Sequence, residues 1–191
     1  MKLILASSSV YRKELLSRLQ LPFTTQIPDV DESPLANETP AALVERLAIK
    51  KAKAIASHEE NALVIGCDQV AVHGNVIVGK PRDHEHAVLQ LKAASGKSIA
   101  LYTGLVLINT RTSNMQSEVV PYNVIFKTLK HEQIENYLRK EKPYHCAGSV
   151  KSEGLGIALL ERLDGEDPNT LIGLPLIRLI KMLEREGLSV I

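Results

Sequence analysis

The sequence predicts an α/β protein built on a mixed, twisted sheet with flanking helices, and three observations lead there. Apolar runs of strand length alternate with stretches whose apolar residues recur at helical spacing, so strands and helices interleave along the chain. Two pairs of strands are joined by short turns, "VAVHGNVIV" and "LINTRTSNMQ", which a wholly parallel sheet does not allow. At 191 residues, 45% of them apolar, the chain can bury a sizeable core, and residues 1–191 are read as one domain.

Taken in order, residues 2–6 have the length of a buried strand, and Leu15, Leu16 and Leu19 mark a helix over 9–19. A strand over 23–27 precedes a helix over 40–56, where Thr39 is an N-cap and Pro40 takes the first helical position. Residues 62–67 and 69–78 read as strands with a hairpin at the second. A helix over 84–94 leads to strands at 99–108 and 118–127. A helix over 131–139, a strand over 156–160 and a helix over 174–186 complete the chain, with Gly187 as the C-terminal stop.

Composition narrows the classes. Lys and Arg (23) nearly balance Asp and Glu (22), so no charge excess points to nucleic acid. Two cysteines, Cys67 and Cys146, make neither a disulfide framework nor a zinc spacing. Without a signal h-region or a membrane-length run, the expectation is a soluble cytoplasmic protein with no membrane partner. A homodimer is compatible with the sequence, which locates no interface for one.

Polar residues that interrupt the apolar pattern mark the candidate site. "ASSSVYR" places three serines on a strand-to-helix corner, where first-turn N–H groups and the helix dipole favour an anion and Arg12 would strengthen the field. The plainer reading is that one serine caps the helix. In the helix over 40–56, Val44, Leu47, Ala48 and Ile55 form a stripe with Lys51 in its middle, either snorkelling to an edge or held against an anion. "GCDQVAVHGNVIVGKP" delivers Asp68 at the end of an apolar run; a turn centred on Gly74 would set Asp68 opposite Lys80, as a ligand-facing pair or a structural ion pair. "IPDVDESP" offers Asp29, Asp31 and Glu32, one of which could join Asp68 in holding magnesium or manganese.

Other motifs fail. "ASGKS" lacks the first Walker glycine and follows a helix instead of opening one, and "GLG" lacks the third glycine of a dinucleotide fingerprint. His84 and His86 do not share a helix face, and Cys67 reads as a small buried side chain.

In order and spacing, "LASSSVYR", "VDE", "LAIKKA", "GCDQV", "GKP", "YTG" and "GLPL" resemble the Maf nucleotide pyrophosphatases over nearly the whole chain. "DQV", "HCAGSVKSEGLGI" and "DPNTLIGLPL" resemble the YceF-like branch. The resemblance implies two lobes around a cleft, as in the Maf and ITPase-like folds. It also implies hydrolysis of a nucleoside triphosphate to monophosphate and pyrophosphate with a divalent cation, 7-methyl-GTP being the substrate associated with this branch. By matching position it implies Asp68 as the proton acceptor, Ser7, Arg12, Glu32, Lys51 and Lys80 as cleft residues, and Tyr11, Gln69 and Glu153 as residues that separate the branches. Glu32 and Asp68 are then the metal candidates. Val10 departs from the proline common in the family, which removes a preset helix start but no ligand. A dTTP or UTP pyrophosphatase, and a nucleotide-binding regulator of cell division without turnover, are the alternatives.

Overall fold

The computed structural model describes residues 1–74 and 76–191. Its elements follow the chain as β1 (Lys2–Ala6), α1 (Val10–Ser17), β2 (Thr24–Gln26), α2 (Pro40–Ala56), β3 (Ala62–His73), β4 (Val76–Val78), α3 (His84–Ala94), β5 (Ser98–Asn109), β6 (Asn114–Phe126), α4 (His131–Glu141), β7 (Leu160–Asp164), α5 (Asn169–Ile172) and α6 (Leu176–Arg185). The sheet runs β2-β1-β3-β5-β6-β7, with β4 paired to β3. It is mixed: β1 lies parallel to β2 and β3, while β3–β4 and β6–β7 are antiparallel.

The chain divides into two compact units. The first comprises Met1–Gln69, Thr103–Val120 and Asp167–Ile191, and the second Val70–Tyr102 and Pro121–Glu166. In the first unit the alternation of β1 sends Leu3 and Leu5 into a cluster with Leu15, Leu16, Leu179 and Leu183, while Ile4 and Ala6 pack with Ala48, Ala52, Val64 and Val106. Two glycines let α2 lie close on the sheet. A Cβ on Gly66 would stand 2.2 Å from the Ala48 carbonyl oxygen, and one on Gly104 2.2 Å from that of Val44. In the second unit α3 packs on α4, burying Ala87, Val88 and Leu91 on one helix and Ile134, Tyr137 and Leu138 on the other.

Thr39 caps α2 through its side chain, with Pro40 at the first helical position, and Gly187 follows α6 with φ +81°. Three expectations change. Residues 155–159 form a 3₁₀ turn and the strand begins at Leu160, because Gly154 and Gly156 both turn back to the Lys151 carbonyl or its neighbours instead of extending. The last helix starts at Leu176 after a separate four-residue helix, α5, which "DPNTLIG" builds by its own local hydrogen bonds. The hairpin register is also displaced by one residue: His73 pairs with Val76, Val72 with Ile77 and Ala71 with Val78. Two residues, not one, therefore separate the paired strands, and the ladder does not set Asp68 opposite Lys80. Among the described residues no helix is long and apolar enough to cross a membrane.

Candidate active site

The middle of β3, which runs unbroken through Asp68 where the sequence pattern predicts a gap between two strands, and the fourth turn of α2 meet in the first unit. Lys51 is buried on the helix stripe with Leu47, Ala48 and Ile55, while Lys50 and Lys53 are exposed. Its Nζ donates to Asp68 Oδ1 at 2.6 Å and lies 2.9 Å from Glu32 Oε1. The close seat of α2 on Gly66, two residues before Asp68, brings the ammonium to the carboxylate. Asp68 is 7% exposed. Burial pushes its carboxyl above the ordinary range, against the Lys51 and Arg12 charges that pull it down. Such a group is a stronger base than a solvated aspartate.

Glu32 comes from an exposed loop fastened to α2. Arg46 donates from Nε and Nη2 to the two oxygens of Glu38, at 2.5 and 2.7 Å, and from Nη2 to the Ser33 carbonyl at 3.0 Å. Asp31 accepts the Ser33 N–H at 2.9 Å. Arg46 and Glu38 thus hold the loop that presents Glu32, a role the sequence hints at only through Arg46 lying four and five residues before Lys50 and Lys51.

The serine corner precedes α1. Ser9 is the N-cap, accepting the Arg12 N–H at 3.3 Å, and Ser7 Oγ accepts the Ser9 N–H at 3.1 Å. Val10 opens the helix without a proline because this capping pair defines its start. Arg12 is braced by backbone: Nε donates to the Gly173 carbonyl at 3.0 Å and Nη1 to the Cys67 carbonyl at 2.9 Å. Its guanidinium is thereby fixed beside β3, at the residue next to Asp68 in sequence. Tyr11 is 39% exposed and does not pack in the core.

Gln69 is likewise held. Its amide nitrogen donates to Thr103 Oγ1 at 2.8 Å and to the Thr170 carbonyl at 2.6 Å. Buried Asp167 shapes the loop supplying that carbonyl, accepting the Asn169 and Ile177 N–H groups at 2.8 and 2.7 Å. Thr103 and Asp167 fall inside the quoted motifs "YTG" and "DPNTLIGLPL", but neither is singled out there as a site residue. Cys67 is buried, its thiol pushed up by burial, and its Sγ faces the Gly173 carbonyl at 3.1 Å. It is no nucleophile in this setting.

Two candidates belong to the second unit. Lys80 is exposed after β4, on a corner where the Gly79 carbonyl accepts the Gly148 N–H at 3.2 Å and the Gln90 amide at 3.1 Å. Glu153 is exposed, accepting from Ser152 Oγ at 3.3 Å.

A protein of Nitrosococcus oceani named 7-methyl-GTP pyrophosphatase is 56% identical over 99% of this chain and 95% of its own length. Proteins of the same name from Methylobacillus flagellatus and Aliivibrio fischeri are each 55% identical, over 99% and 100% of this chain and 98% of their own lengths. Among solved structures, a HAM1 protein from Coxiella burnetii aligns with 66% of this chain and 73% of its own, at 14% identity and a TM-score of 0.46, too distant to bear on the argument. The family model for Maf-like proteins matches residues 2–186, and the chain belongs to the Maf family.

Proposed function

We propose that the protein is a nucleoside triphosphate pyrophosphatase that hydrolyses 7-methyl-GTP to its monophosphate and pyrophosphate. The observation that carries the chemistry is the meeting of Asp68 and Glu32 on the buried ammonium of Lys51. The substrate follows from the relatives, which bear that name over nearly their full lengths.

In this reading Asp68 takes the proton of the attacking water, for which its burial and raised basicity suit it. Lys51 keeps the carboxylate oriented. Ser7, with a hydroxyl hydrogen still to give after accepting from Ser9, and Arg12 bind phosphate oxygens beside the first turn of α1. Lys80, in the "GKP" motif, is proposed as a further phosphate contact. Glu32 and Asp68 would hold a divalent cation: both offer only oxygen, and magnesium and manganese are satisfied by one or two carboxylates completed by water and substrate phosphate. Among the described residues no group of three or more His, Cys, Asp or Glu side chains is placed to hold a metal. When bound, the cation offsets charge on the phosphates.

For the base, guanine presents N–H donors along one edge and Glu153 is an acceptor-only partner for them. Methylation at N7 makes the ring cationic, which favours an aromatic face such as Tyr11 by about 0.5–2 kcal/mol. Gln69, its amide nitrogen already committed, offers its carbonyl oxygen.

The test is a side-by-side turnover panel of 7-methyl-GTP, GTP, UTP and dTTP with magnesium or manganese, with products separated. The expected result is pyrophosphate and monophosphate, with 7-methyl-GTP giving the highest kcat/KM. Release of orthophosphate alone would refute the site of cleavage, and a lead for UTP or dTTP would refute the base assignment.

A further inference from the structure

The turn that carries Glu153 is pinned from one helix. Tyr137 and Glu141 stand one turn apart on the same side of α4, and each accepts a backbone N–H from the turn. Tyr137 Oη takes that of Lys151 at 3.0 Å and Glu141 Oε2 that of Leu155 at 2.7 Å. Glu141 Oε1 also lies 3.3 Å from Lys151 Nζ. Between these anchors the turn closes on itself, the N–H groups of Gly154 and Gly156 both donating to the Lys151 carbonyl at 3.1 Å. The fit is close: a Cβ on Gly154 would stand 2.7 Å from both Glu141 carboxylate oxygens and would displace that carboxylate. Tyr137 itself is 3% exposed, and α4 is seated on α3, so the anchors are rigid while Glu153 is exposed.

We propose that Tyr137 and Glu141 are positioning residues for base selection, fixing the backbone on both sides of Glu153 so that its carboxylate is presented in one place. This rests on the assignment of Glu153 to the base made above. Neither residue touches the nucleotide. A side chain two residues removed from each anchor loses its aim when either anchor goes, and a displacement of about 1 Å is enough to cost a directed hydrogen bond most of its selectivity.

The experiment measures kcat/KM for 7-methyl-GTP and for UTP in the full-length protein and in Tyr137→Phe, Glu141→Ala, Glu141→Gln and Glu153→Gln. Tyr137→Phe and Glu141→Ala are each expected to lower the 7-methyl-GTP to UTP ratio about tenfold through KM for 7-methyl-GTP, leaving kcat on UTP unchanged. Glu141→Gln, which can still accept from Leu155, is expected to stay within about threefold of the parent. Merely structural residues would lower both substrates together and leave the ratio alone. An unchanged ratio in Tyr137→Phe and Glu141→Ala, with Glu153→Gln abolishing it, overturns the positioning role and spares the base assignment. An unchanged ratio in Glu153→Gln overturns the base assignment and the positioning role with it. If Glu141→Ala does not fold, Gly154→Ala, whose Cβ pushes into the Glu141 carboxylate, reads the same ratio with the same two outcomes.

Discussion

In the first unit Lys51 and Asp68 are buried side chains that face each other from a helix and the middle of a strand, and their separation is set by how closely α2 sits on Gly66 and Gly104. In the second unit Glu153 is exposed, and what is fixed is the backbone around it, through Tyr137 and Glu141. A charge pair that serves chemistry in a low-dielectric setting has to be built into the packing, whereas a group that meets a changing substrate can stand in water on a rigid turn. Damage should therefore read out differently: as lost stability in the first case and as lost selectivity in the second.

The largest loss of stability is expected for Lys51→Met, which leaves Asp68 buried without its nearest cation and should cost about 3–5 kcal/mol. The check is urea unfolding, together with the double variant Lys51→Met/Asp68→Asn, which should recover much of the loss because the unpaired charge is gone. Additive losses in that pair would mean that the two residues do not act together. Gly66→Ala comes next. Its Cβ would fall 2.2 Å from the Ala48 carbonyl oxygen, so α2 must move away. A loss of about 1–3 kcal/mol follows, with kcat falling as Lys51 withdraws from Asp68. An alanine tolerated without change in either quantity would show that the close seat of α2 is not what sets the pair.

Arg46→Ala should move the midpoint of unfolding least and act on the loop that presents Glu32. Hydrogen bonds from Arg46 hold the Glu38 carboxyl down at about 2, against an ordinary value of 4.5. Because the folded value is depressed, the stabilisation is fully present above 4.5 and is lost as pH falls through about 2. An NMR titration of Glu38 should show its midpoint rising toward 4.5 in the variant, while KM for the nucleotide increases at neutral pH. A Glu38 midpoint that stays low would assign the shift to the loop backbone and not to Arg46.

Much of the first unit was legible. The apolar stripe of α2 announced its own interruption at Lys51, and a carboxylate breaking a buried strand at Asp68 is visible in "VIGCDQ" because buried strands are nearly continuous in apolar residues, although the strand runs on through Asp68 to His73 instead of ending there. The serine corner could be read as a cap, though not which serine; Ser9 does it and Ser7 supports Ser9. The pairing of Asp68 with Lys80 failed for a definite reason. A hairpin register depends on whether one or two residues lie at its tip, and apolar alternation in "VAVHGNVIV" fits both. Long-range anchors were invisible. Tyr137 and Glu141 look like ordinary amphipathic-helix residues, because their partners are backbone N–H groups, which leave no mark in a sequence.

The most direct test of the central claim is turnover of 7-methyl-GTP by Asp68→Asn, with pyrophosphate release followed beside nucleotide binding and thermal unfolding. Loss of at least about a thousandfold in kcat is expected, with the fold and nucleotide binding retained. Pyrophosphate release at near the parental rate would contradict the assignment of Asp68 as the proton acceptor.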